Sequence, residues 1–119
     1  SIAAMAAIRA DETDIKNILT ACENTEKLLL ANKNHTENDI AFHTAIALSS
    51  KNIVVPKLVP IINSSIPIIS ESAEFTLRDE AIETHREIAD AIAAHDAIRA
   101  HDAMYLHLIY NRKHIKSIN

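Results

Sequence analysis

The chain has 119 residues and a net charge of −4; 48% of its residues are hydrophobic, 24% are charged, and glycine is absent. That length suits one domain with a single core. Basic residues are scattered apart from the closing Arg112 to Lys116 stretch, so no basic stripe is available for nucleic acid, and the missing glycine excludes glycine-rich phosphate loops and disfavours tight β-hairpins.

A mainly helical domain is therefore expected. The one cysteine, Cys22, has no partner for an internal disulfide and reads as a small packing residue. With no signal peptide and no apolar run near membrane-spanning length, a soluble cytoplasmic protein is expected.

Ser1 to Ala10 is rich in Ala and Ile and shows no cap, so it reads as the end of a helix cut short. Asp11 then stands as N-cap of a second helix running to about Ala31, with acids in its first turn and Ile15, Ile18, Leu19, Cys22 and Leu29 on its apolar side. After a polar loop from Asn32 to Thr36, a third helix runs to about Ser50 on a stripe of Ile40, Phe42, Ile46 and Ala47. His43 lies within that stripe.

The fourth segment, Ile53 to about Ser70, carries Pro56, Pro60 and Pro67. Pro56 suits a first helical turn, but Pro60 removes an internal hydrogen bond, so a kinked or short helix is expected. Its β-branched run could also form a strand, though no partner strand is evident. A fifth helix covers roughly Phe75 to Ala94 on a stripe of Ile82, His85, Ile88, Ala89 and Ile92. His95 and Asp96 mark a turn, and Asp96 caps a sixth helix to about Ile115, packed through Ala100, Ala103, Met104, His107 and Leu108. The basic tail suits the negative end of that helix.

Two spacings point to chemistry. Asp39 and His43 are four residues apart, hence about 40° apart around a helix and about 6 Å from each other. His85 and His107 each lie 11 residues from Asp96, which places both about 16 Å along antiparallel helices, at one height on facing apolar stripes. A buried Asp is costly unless its charge is compensated, and a divalent cation compensates it. One carboxylate and three imidazoles suit zinc first, with nickel, manganese or iron as alternatives, rather than calcium or magnesium. The competing reading is that these residues are separate: a helical Asp–His pair and two core histidines with satisfied hydrogen bonds. The other histidines rank lower: His114 as packing or capping, His101 rotated away, His95 in the turn, His35 in a loop.

Three function classes fit such a site: an effector-sensing module, a helical metal-dependent hydrolase, and a structural interaction domain. Di-iron bundles use a Glu three residues before a His, and no histidine here has one. A His-Asp phosphohydrolase, suggested by the His-Asp pairs at 95–96 and 101–102, also needs a distant downstream Asp, and none follows Asp102. No nucleophile turn for Ser-His-Asp catalysis is recognisable. No enzyme is expected.

The run Asp39-Ile40-Ala41-Phe42-His43-Thr44-Ala45-Ile46-Ala47 resembles the D-x-x-F-H-x-A-I-A signature of the FCD domain, the ligand-binding half of FadR-type GntR bacterial transcription regulators. Ser50-Lys51-Asn52 follows where that family has S-G-N, with Lys51 in place of Gly. Thr84-His85-Arg86-Glu87-Ile88 with Ala91-Ile92 is similar to its E-H-x-x-I-x-x-A-I. Asp96, Ala100, Met104, His107 and Leu108 fit D-x-x-x-A-x-x-x-M-x-x-H-L, and His95 stands where Gly is frequent. The resemblance spans nearly the whole chain. It implies an all-α antiparallel bundle of about six helices with a central cavity, and metal ligands at Asp39, His43, His85 and His107. It further implies a small organic acid bound on or near the metal, a homodimer, and DNA contact only through an N-terminal winged helix-turn-helix domain that this chain lacks. Arg78 and Asn52 fall where the family places residues near the cavity; an ion pair with Asp79 or Glu74 and a helix or turn cap are their competing roles.

Overall fold

A computed structural model describes the backbone of residues 1–72 and 77–118, and the side chains of 1–67 and 77–112. Among the described residues six helices follow one another: α1 (Ile2–Arg9), α2 (Glu12–Leu30), α3 (Thr36–Ser49), α4 (Val55–Ser72), α5 (Arg78–Ala93) and α6 (Ala97–Ile118). No strand occurs among the described residues, so the strand alternative for the fourth segment falls. The helices form an antiparallel bundle in which α5 and α6 pair as a hairpin, α2 packs on α3 and α5, and α1 lies against α3, α5 and α6.

The helix boundaries follow from local chemistry. Asp11 accepts from the Asp14 N–H at 2.8 Å while the Asp14 carboxylate accepts from the Asp11 N–H at 3.0 Å, a reciprocal cap that starts α2. Ser1 supplies the cap that the first segment was expected to lack, its hydroxyl accepting from the Ala4 N–H at 3.3 Å. Asp96 accepts from the Arg99 N–H at 3.1 Å and so starts α6. With no glycine, the left-handed positions after helix ends among the described residues fall to Asn32 (φ 53°), Lys51 (φ 60°) and His95 (φ 55°). After α2 and α5 these positions close Schellman turns: Lys33 N–H to Leu28 O and Asn32 N–H to Leu29 O, then Asp96 N–H to Ala91 O and His95 N–H to Ile92 O. His95 recovers some of the left-handed cost by donating from Nδ1 to Ala7 O at 2.9 Å, which ties the hairpin turn to α1.

The core sits where α1, α5 and α6 meet. Ala3, Ala6, Ala7 and Ala10 repeat at helical spacing and are all buried, facing Ala100 and Ala103 of α6 and Ala89, Ala91 and Ile92 of α5. Ile18, Cys22, Phe42, Ile46 and Ile88 complete it; each large apolar side chain among them contributes about 1.5–3 kcal/mol by leaving water.

Three expectations need correction or bounding. Leu108 is 56% exposed rather than packed, because α6 meets its neighbours through Ala100, Ala103 and His107, and the next residue is turned about 100° away from that line. The fourth helix is not short: α4 runs 18 residues with Pro60 and Pro67 inside it. It packs on α3 alone among the described helix pairs, and Ile53, Val54, Leu58 and Ile61 around it stay exposed. The expected start of the fifth helix at Phe75, the side chain of His114 and most of the basic tail lie outside the described residues.

Candidate metal centre

Four side chains from three helices meet beside the core. Asp39 and His43 project from one face of α3, His85 comes from α5, and His107 comes from α6. A ring nitrogen of each of His43, His85 and His107 lies within 4.8 Å of the others. The ring centroids are 4.6 Å apart for His85 and His107, 5.1 Å for His43 and His107, and 5.5 Å for His43 and His85. Asp39 Oδ1 stands 3.1 Å from His85 Nε2 and 3.5 Å from His43 Nε2. Phe42 walls the cluster, its ring 4.9 Å from that of His85.

His85 and His107 are buried, at 4% and 2% exposure, whereas Asp39 and His43 keep about a third of their side-chain surface open, at 36% and 33%. Access from solvent is therefore along the α3 side. Among the described residues, grooves lie elsewhere: one of about 510 Å³ between α3 and α4, and one of about 560 Å³ beside the Glu87–Arg99 ion pair of the hairpin. Neither is lined by these four residues.

The electrostatics set the protonation states. Burial alone would raise the Asp39 carboxyl, but His43 and His85 outweigh it and hold the group well below the usual carboxylate range. Burial, aided by His85 and His43, pushes the His107 imidazole down to about 3, so it is neutral in ordinary buffers. Asp39 Oδ1 and His85 Nε2 are buried and neither makes a hydrogen bond, although they lie 3.1 Å apart; the approach lacks the alignment a hydrogen bond needs. Each such group costs about 1–3 kcal/mol when left unsatisfied.

This donor set fits a metal. A divalent cation would satisfy both orphaned atoms at once. Nitrogens bonded at about 2.0–2.1 Å to one ion stand at most about 4.2 Å apart, and the three imidazoles are within a small rotamer adjustment of that. Nitrogen with one carboxylate oxygen is a set suited to Zn, Ni, Mn or Fe.

The other candidates are placed differently. Arg78 is exposed at the start of α5 and pairs through Nε with Asp79 Oδ1 at 3.3 Å. Asn52 caps the turn before α4, its Oδ1 accepting from the Val54 N–H at 3.0 Å. His101 is exposed and His35 is half-buried ahead of α3, its Nδ1 3.4 Å from Lys33 O.

Two residues that the spacing argument did not single out touch the cluster. Thr84 Oγ1 lies 2.9 Å from His107 Nδ1, and Asn111 Nδ2 lies 3.3 Å from His107 Nε2. Asn111 stands four residues beyond His107, a signal available from helical periodicity. Thr84 is reached only across the hairpin.

The profile of the FCD domain matches residues 1–109. A Bacillus subtilis (strain 168) protein, the "Uncharacterized HTH-type transcriptional regulator YcbG", is 34% identical over 79 residues, which is 66% of this chain and 34% of that protein. The solved structure of Streptococcus agalactiae GntR superposes with a TM-score of 0.78 at 31% identity, over 94% of this chain and 51% of that one. The chain thus spans about a third and about half of the lengths of these two relatives.

Proposed function

The chain belongs to the FCD domain family, and on that premise we propose that it is the effector-sensing module of a GntR-type transcription regulator, anchoring a small organic carboxylate on a divalent metal. Asp39, His43, His85 and His107 would hold the ion. Bound there, the metal supplies a Lewis-acidic position that draws an anionic ligand. The chain's own residues do the rest. Asp39 offsets part of the charge, Phe42 and the buried faces of His85 and His107 keep water from one side, and the exposed flank at Asp39 and His43 is the way in.

Sensing requires only binding. An effector that favours one arrangement of the bundle shifts the DNA affinity of an attached DNA-binding domain by the same coupling free energy. Operator DNA and a second copy of the chain are the partners this reading implies. FCD domains belong to transcription regulators, which are not enzymes, so the hydrolase alternative gains no support. Among the described residues no helix is long and apolar enough to cross a membrane.

The observation that carries this reading is the pair of buried, unsatisfied atoms, Asp39 Oδ1 and His85 Nε2, inside a cluster of three imidazoles. The test is thermal melting of chelator-treated protein with zinc or nickel added back, alongside metal analysis of the purified protein. A rise in Tm that His85→Ala abolishes supports the site. Identical melting with metal and with chelator, and no co-purifying metal, returns the histidines to a structural role. Organic acids are then screened by the further shift they cause in the metal-loaded protein.

A further inference from the structure

His107 is held from both sides. Its Nδ1 lies 2.9 Å from Thr84 Oγ1, and its Nε2 lies 3.3 Å from Asn111 Nδ2. Thr84 and His107 are each 2% exposed, so water does not compete for that contact. The Thr84 hydroxyl has one proton, and it is directed within α5 to the Glu80 carbonyl at 2.8 Å, the back-bond usual for a threonine inside a helix. Toward His107 the oxygen can then only accept. A neutral imidazole carries one N–H, and an acceptor at Nδ1 draws it there. Nε2 is left with its lone pair, and the Asn111 amide donates to it.

We propose that Thr84 is a positioning residue: its hydroxyl fixes His107 as the Nδ1–H tautomer and so keeps the Nε2 lone pair as the donor, held by the Asn111 N–H in the metal-free chain and given up to an ion in the His43–His85–Asp39 cluster. The proposal rests on the metal reading above for its consequence, but the tautomer itself is a property of the metal-free chain. Partners of this kind, one bond removed from a metal, orient the ring and raise its donor strength, and their loss costs about 10–100-fold in metal affinity. The cross-hairpin contact also links the two helices at the level of the site, so His107 cannot rotate away without breaking it.

The test uses protein labelled with ¹⁵N at histidine, free of metal, near pH 7.5. Two-bond nitrogen–proton correlations read the tautomer of each ring, and His107→Ala assigns the signals. The expected result is Nδ1–H at His107 in the parent, retained in Thr84→Ser and Asn111→Ala, and lost or mixed in Thr84→Val. Zinc affinity, measured by competition with a chromophoric chelator, should fall about 10–100-fold in Thr84→Val and stay within a few-fold in Thr84→Ser. A His107 Nε2–H in the parent overturns the proposal, as does a Thr84→Val protein with unchanged tautomer and zinc affinity, or a tautomer that responds to Asn111→Ala instead. If Thr84→Val does not fold, the parent, Thr84→Ser and Asn111→Ala spectra still decide it. A parent that binds no zinc sinks the metal reading, while the metal-free spectra still show whether Thr84 sets the tautomer.

Discussion

The α5–α6 hairpin has two halves built on opposite terms. Near its turn the inward residues are Ile88, Ala89 and Ile92 on one helix and Ala100 and Ala103 on the other, sealed by Ala3, Ala6 and Ala7 of α1 and by Ala10 at its C-cap. Seven residues farther from the turn than Ile92 and Ala100, the same stripes carry His85 and His107, with Thr84 and Asn111 beside them. The first half contains nothing that needs a partner. The second contains Asp39 Oδ1 and His85 Nε2, which meet at 3.1 Å without forming a hydrogen bond. Small apolar side chains let helices approach and exclude water, whereas imidazoles spread the helices and leave polar atoms to be satisfied. One half is closed by apolar packing, and the other gathers three imidazoles and a carboxylate that could hold a metal ion.

That contrast can be broken by mutation. Ile92→Ala in the dry half should cost about 2–5 kcal/mol in urea-induced unfolding, because a fully buried side chain leaves a cavity. The rise in Tm on adding zinc should survive it. A loss of zinc response in Ile92→Ala would mean the two halves are not separable.

In the wet half, His85→Ala should remove the metal effect, which for the parent at a free metal concentration of 100 times Kd is worth about 2.7 kcal/mol. Calorimetry with and without chelator reads both numbers.

Acid should affect the metal-free protein through the wet half. His107 titrates near 6.5 when unfolded and about 3 when folded, so between those values the unfolded state binds more protons. Stability is therefore full above pH 6.5 and falls as pH drops toward 3. From pH 6.5 to 5 the loss is about 1.5–2 kcal/mol. His107→Gln should flatten that slope in chelator-treated samples, and a parent slope that persists in the variant assigns the acid sensitivity elsewhere. As pH falls through the ordinary carboxylate range and below, Asp39 adds a second loss, because the unfolded carboxyl takes up a proton before the folded one does.

The smallest effects belong to the left-handed positions. Asn32→Gly should gain a few tenths of a kcal/mol, since asparagine tolerates that conformation at modest cost. His95→Gly should gain nothing net, because the hydrogen bond to Ala7 O, worth about 0.5–1.5 kcal/mol, leaves with the ring. Equal gains at both sites would show that the tie between the hairpin turn and α1 contributes little.

Much of this was written along the chain. The absence of glycine and the 3.6-residue stripes specify helices, Asp11 and Asp96 start two of them through their own side chains, and the symmetry of His85 and His107 about Asp96 follows from counting. These are local properties: a cap or a stripe depends on residues a turn apart, and a hairpin's level depends only on distance from its turn. The length of α4 across Pro60 and Pro67, and the exposure of Leu108, were not legible, because each depends on which neighbour a helix meets and at what rotation.

Tertiary structure alone decided the wet half. Whether Asp39 points at His85 as well as at His43, and whether Thr84 reaches His107, depends on the rotational phase of α3, α5 and α6 about their axes. Sequence spacing sets the level of a side chain along a helix and its angle relative to the same helix. The phase between helices is set by how the alanine face of the dry half closes, and that packing carries the imidazoles to within reach of one another.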